Sequence, residues 1–117
     1  LNNLVAFVDV NDLQISGPTA EVMNMEPIAD KFAAFGWTVR TIDGNDMSNI
    51  VLALDDTPLS SSAPTAIIAR TIKAKGIRHL EGTAGSHYWK PSAAELDAAE
   101  DELRQQLSTI AGKVGTH

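Results

Sequence analysis

A chain of 117 residues without cysteine is long enough to bury one core, and it has neither a disulfide scaffold nor a thiolate metal site. Its formal charge of −6 disfavours nonspecific attraction to nucleic acid. No apolar run approaches the roughly 20 residues that a membrane helix needs, and no signal peptide is visible, so the expectation is a cytoplasmic protein.

Along the chain, apolar periodicity alternates between the two element types. The run Leu4 to Val8 reads as a buried strand. It ends in a polar turn carrying Asp9, Asn11, Asp12 and Gln14, at the carboxyl end of the strand, where open α/β sheets place their ligands. Pro27 to Phe35 reads as a helix, with Pro in its first turn and Ile28, Phe32 and Phe35 on one face. Gly36 stops it, and Trp37 to Ile42 alternates as a strand. Asp43-Gly44 is a turn, Asp46 an N-cap, and Met47 to Leu54 a second helix. Thr57 to Pro64 is a loop, and Thr65 to Ala69 is a short, fully buried strand. From Arg70 to Pro91 no period is evident, and Gly76, Gly82 and Gly85 argue for irregular structure. Ser92 then caps a helix over Glu95 to Ala111, with Glu95 completing a capping box. Strands separated by helices predict an α/β fold, a parallel sheet with flanking helices, in a single domain over residues 1–117.

The polar turn carries the chemistry. The Asn11 side chain and a nearby backbone carbonyl are oxygen ligands suited to a hard cation such as magnesium, which is often shared with phosphates. The same residues are also ordinary turn formers. A resemblance separates the two readings. Asp9, Asn11, Leu13, Gln14, Ile15 and Gly17 follow the pattern Asp-x-Asn-x-Leu-Gln-Ile-x-Gly, and the stretch resembles the cofactor-binding domain of the transketolase family. The similarity continues in order through Gly17-Pro18-Thr19, Glu26-Pro27, Phe35-Gly36-Trp37, Asp43-Gly44-Asn45-Asp46, Pro64 to Ile68, Thr71 to Gly76, and His87 with Pro91. Each match is short; their order and spacing make the signal specific.

The resemblance implies thiamine diphosphate, held through magnesium, with calcium a possible substitute. Asn11 and the Leu13 carbonyl match metal ligands, and as neutral oxygens they add no negative charge beside a diphosphate. Leu13, Ile15 and Ile72 match apolar positions lining the cofactor, although ordinary core packing would explain Ile15 and Ile72 equally well. His87 matches a histidine near the reacting carbon, placed to donate hydrogen bonds to developing oxyanions. Lys73 and Lys75 resemble a basic loop near phosphate groups, whereas His79 and His117 match nothing in the pattern.

Several departures accompany the match. Asp12 stands where the family commonly has Gly, and Asn45 where it often has His. Ser86 and Tyr88 flank His87 in place of the usual neighbours, with Trp89 displaced. The family's Gly-Asp-Gly element, source of the charged magnesium ligand, does not occur in these residues, nor does the activating glutamate that a second domain supplies. The leading expectation is therefore a fragment or split subunit of a transketolase-type enzyme. It would act in two-carbon ketol transfer between phosphosugars, completed by a complementary chain or a homodimer. The alternative is a noncatalytic remnant, a small α/β folding or dimerisation module without cofactor.

Overall fold

The computed structural model describes residues 1–114, with side chains described through residue 111. The chain divides into two compact units, Leu1–Ile72 and Lys73–His117. The first unit holds a three-stranded parallel sheet in the order β1 (Val5–Val10), β5 (Thr65–Arg70), β4 (Thr38–Asp43). Between β1 and β4 lie a two-residue ribbon of β2 (Leu13–Gln14) and β3 (Gly17–Pro18), the single turn α1 (Thr19–Val22), and α2 (Ile28–Ala34). Helix α3 (Met47–Asp55) connects β4 to β5. The α/β class and the parallel sheet with flanking helices are as the sequence predicts.

The core follows from β5 being bonded on both sides. Residues Thr65 to Ile68 have 0% relative exposure, and fully burying an aliphatic side chain contributes about 1.5–3 kcal/mol. Alternate residues of β5 serve opposite faces. Ala66 and Ile68 join Val10, packed against by Ile28 and Phe32 of α2 and by Trp37. Ile67 and Ala69 join Ile42 and Ala53, with Ile50 of α3 packed against them. Helices therefore cover both faces, as a sheet of parallel strands requires.

Two expectations change. The first strand extends to Val10 and is an edge strand, not a buried one: β1 bonds only β5 within the first unit, and Val5 and Phe7 remain 37% and 45% exposed. These two side chains share the parity of Ile67, on the α3 side of the sheet, but α3 packs over β4. On α2, Ile28 and Phe32 pack inward while Phe35 is 86% exposed. The helix stops at Ala34, so Phe35 is the C-cap and leaves the helical face. Trp37 takes its place, its ring edge-on to Phe32 at 5.4 Å.

The second unit consists of the Lys73–Lys90 segment, including a 3-10 turn at Ala84–Tyr88, and the long helix α4 (Ala93–Val114). The capping box forms as expected: Glu95 Oε2 accepts from the Ser92 backbone N–H at 2.7 Å, and Glu95 N–H donates to Ser92 Oγ at 3.4 Å. Helix α4 braces the segment before it. Gln106 Nε2 donates to the Gly76 carbonyl at 2.8 Å, and the Arg78 N–H donates to Glu102 Oε2 at 3.1 Å. Gly76 has φ +109, a conformation side chains rarely adopt. Among the described residues, no helix is long and apolar enough to cross a membrane.

Candidate functional site

All three strands of the parallel sheet end together, because the register pairs Val10 with Arg70 and Arg70 with Asp43. The segments leaving those ends, Asn11–Gln14, Thr71–Ile72 and Gly44–Asp46, gather at the sheet's carboxyl edge, the usual ligand position of open α/β sheets.

Asn11 opens the first segment with a side-chain turn: Leu13 N–H donates to Asn11 Oδ1 at 3.1 Å. Asp12 lies between them at φ +59, in the left-handed region that costs a non-glycine residue energy, though Asp tolerates it better than most. Its carbonyl accepts from the Thr19 N–H at 2.8 Å, closing the loop onto α1. Leu13 faces Pro18 across the β2–β3 ribbon, and proline has no N–H to offer its carbonyl. The turn thus holds the Asn11 amide oxygen in place with one lone pair unused, beside a carbonyl whose ladder partner lacks a donor. A cleft of about 320 Å³ opens here, lined by Asn11, Asp12, Leu13, Gln14 and Thr19 together with Met25, Ile28 and Phe32.

These features test the fit of a magnesium-bound diphosphate. Asn11 and Leu13 line one cleft with Val8, Val10, Met25, Ile28 and Phe32 as apolar wall, and the carboxylates of Asp9 and Asp12 line it as well. Among the described residues, no group of three His, Cys, Asp or Glu side chains is arranged to hold a metal. A hard cation takes six or more oxygens. The Asn11 amide oxygen and the Leu13 carbonyl would fit such a site only as two of its oxygens, the rest coming from elsewhere.

The other two segments are fixed by their own bonds. Ile72 N–H donates to Asn45 Oδ1 at 2.7 Å, Gly44 N–H to the Arg70 carbonyl at 2.7 Å, and Thr71 N–H to the Val10 carbonyl at 3.0 Å. Thr71 Oγ1 also donates to Asp9 Oδ1. Asn45 thereby acts as a bracket for the strand end carrying Ile72. Ile15 and Ile72 are 58% and 45% exposed. Neither belongs to the core clusters, so core packing does not account for them.

One charged network at this edge escaped the sequence reading. Arg70 Nη1 lies 2.5 Å from Glu26 Oε1 and 3.4 Å from Asp12 Oδ1. Glu26 Oε2 in turn accepts from Ile28 N–H at 3.0 Å, at the start of α2. The Arg70 guanidinium, followed by the Ile28 N–H, holds the Glu26 carboxyl below its ordinary range. No local motif marks such a group, since its members lie on three separate segments.

In the second unit, His87 sits in the 3-10 turn, exposed, its ring edge-on to Tyr88 at 4.8 Å. His79 stacks edge-on to Trp89 at 5.6 Å, which gives it a packing role. Lys75 pairs with Glu81 at 3.3 Å. His117 lies outside the described residues.

Comparison with known proteins places the chain in a family. Residues 1–109 match the family model described as transketolase, thiamine diphosphate binding domain. The chain is 36% identical over 110 residues to one subunit of the apulose-4-phosphate transketolase of Phocaeicola vulgatus, covering 94% of this chain and 39% of that protein. It is 40% identical over 104 residues to a 6-deoxy-6-sulfo-D-fructose transketolase subunit of a Clostridium species, covering 83% and 38%. The transketolase of Campylobacter jejuni superposes with a TM-score of 0.67 at 25% identity, over 98% of this chain and 22% of that one. The chain thus spans about two fifths of the length of these curated relatives.

Proposed function

The chain belongs to the transketolase family through its thiamine diphosphate-binding domain, and on that premise we propose that it supplies part of the diphosphate–magnesium site of a transketolase-type enzyme. Asn11 Oδ1 and the Leu13 carbonyl are the two ligands, with calcium able to replace magnesium at such neutral oxygens. The observation that carries this reading is the Asn11–Leu13 turn at the carboxyl end of β1, where a hydrogen-bonded amide oxygen and a residue whose ladder partner lacks an N–H line one cleft. The bound cofactor would supply the electron sink for two-carbon ketol transfer between phosphosugars. The chain's own part is to bind and orient: Leu13, Ile15 and Ile72 present apolar surface, and His87 presents an imidazole able to donate hydrogen bonds to oxyanions.

Two of the relatives carry the word subunit in their names, which supports completion by further transketolase-type sequence, on a complementary chain or in a dimer. That sequence supplies the charged magnesium ligand and the glutamate that activates the cofactor. The test is reconstitution. The chain combined with a transketolase segment bearing those two elements is assayed for ketol transfer from a ketose phosphate to an aldose phosphate. Turnover that requires both parts, and that falls when His87→Ala is introduced, supports the reading. Turnover by the second part alone, unchanged by this chain, refutes it.

A further inference from the structure

At the centre of the Asn11–Leu13 turn a non-glycine residue, Asp12, stands at φ +59. A side chain in that conformation costs energy that glycine does not, so the turn needs support from outside itself. The structure offers one source. Arg70 is the last residue of β5 and shares the parity of Ala66 and Ile68, on the face covered by α2. From there its Nη1 lies between Asp12 Oδ1, at 3.4 Å, and Glu26 Oε1, at 2.5 Å. Glu26 is itself fixed, its other oxygen accepting from Ile28 N–H at the start of α2. The guanidinium is thereby anchored on one carboxylate and extends charge to the second.

We propose that Arg70 is a positioning residue that holds Asp12, and through Asp12 the Asn11–Leu13 turn, in the geometry that presents the Asn11 amide oxygen and the Leu13 carbonyl. The inference rests on the reading of those two atoms as cofactor ligands, but its mechanism concerns the turn alone. Arg70 touches neither ligand residue; it acts by offsetting the preference of Asp12 for ordinary backbone conformations. It also sets a positive charge against the carboxylate that Asp12 places beside the site.

Amide hydrogen exchange on the cofactor-free chain tests this through two reporters, the Leu13 N–H bonded to Asn11 and the Thr19 N–H bonded to the Asp12 carbonyl. Arg70→Met is expected to speed exchange at both by about two- to fivefold, the upper size a solvent-exposed ion pair carries. The buried β5 amides of Ile67 and Ile68 keep their rates. In an Asp12→Gly background, where the turn adopts its conformation unaided, Arg70→Met has no further effect on Leu13 and Thr19. A purely structural role for Arg70 would act equally in both backgrounds. Unchanged rates in Arg70→Met, an equal effect on Ile67 and Ile68, or an equal effect in the Asp12→Gly background would each overturn the proposal. Because no cofactor is present, these failures leave the ligand reading standing, and a failed cofactor titration leaves this one standing.

Discussion

Gly44 is the position where one methyl group tests the site's framework most sharply. A Cβ there would lie 2.6 Å from Thr71 Cγ2, 2.8 Å from Ala69 Cβ and 3.2 Å from the Arg70 carbonyl oxygen. Gly44 is not among the residues with positive φ, so steric room is the constraint and backbone strain plays no part. Replacing Gly by Ala stabilises a compatible site by about 0.4–1 kcal/mol through the unfolded chain. Overpacking a filled site costs about 1–3 kcal/mol. Two of the contacts are backbone or a rigid Cβ on the central strand, so the overpacking cost wins, leaving Gly44→Ala about 1–2 kcal/mol less stable. At ordinary urea sensitivities this lowers the unfolding midpoint by roughly 0.5–1 M, read by circular dichroism. Adding Thr71→Ser removes the nearest methyl and keeps the hydroxyl that donates to Asp9. It recovers part of the loss, a coupling expected of residues in contact. A Gly44→Ala protein as stable as the parent, or a Thr71→Ser change that recovers nothing, would refute this reasoning.

Other expectations concern the start of α4. Ser92→Ala removes an N-cap and lowers the stability of that helix by about 0.5–2 kcal/mol, measured by thermal melting. Hydrogen bonds from the Ser92 N–H and hydroxyl hold the Glu95 carboxyl below its ordinary value of 4.5. A carboxyl depressed in the folded state contributes stability above its unfolded pKa and loses it as pH falls through the lower, folded one. The stability difference between the parent and Glu95→Gln is therefore full near neutrality and shrinks on acidification from about pH 6 to pH 3, followed by urea midpoints. A difference that stays constant over that range would exclude the capping-box charge as its source.

Elements specified by their own residues were legible in the sequence. The apolar run of β5, the Asp46 cap of α3, where Asp46 accepts from Ser48 N–H at 2.8 Å, and the Ser92–Glu95 box all form as expected. What depends on distant partners was not legible. The run Leu4 to Val8 is as apolar as β5, but whether a strand is central or at an edge is decided by its neighbours. The β2–β3 ribbon is two residues long on each side, too short for any period to show. Phe35 continued the helical spacing, yet the helix ended one residue before it. At the proposed site, resemblance alone points to Asn11 and Leu13, and the structure shows the hydrogen bond that joins them. Arg70, Glu26 and Asp12 come from separate segments, so only the folded chain brings them together.

The Asn11–Leu13 turn is proposed to bind magnesium and thiamine diphosphate. The most direct test is isothermal titration of thiamine diphosphate, in the presence of magnesium, into the reconstituted pair of this chain and its complement, for the parent and for Asn11→Ala. Losing one charge-assisted ligand contact of about 1.5–3 kcal/mol weakens binding by roughly 10- to 150-fold. A loss of that order is expected, with the free chain destabilised only by the one hydrogen bond to Leu13 N–H, about 1 kcal/mol. An Asn11→Ala pair that binds the cofactor as tightly as the parent would contradict it.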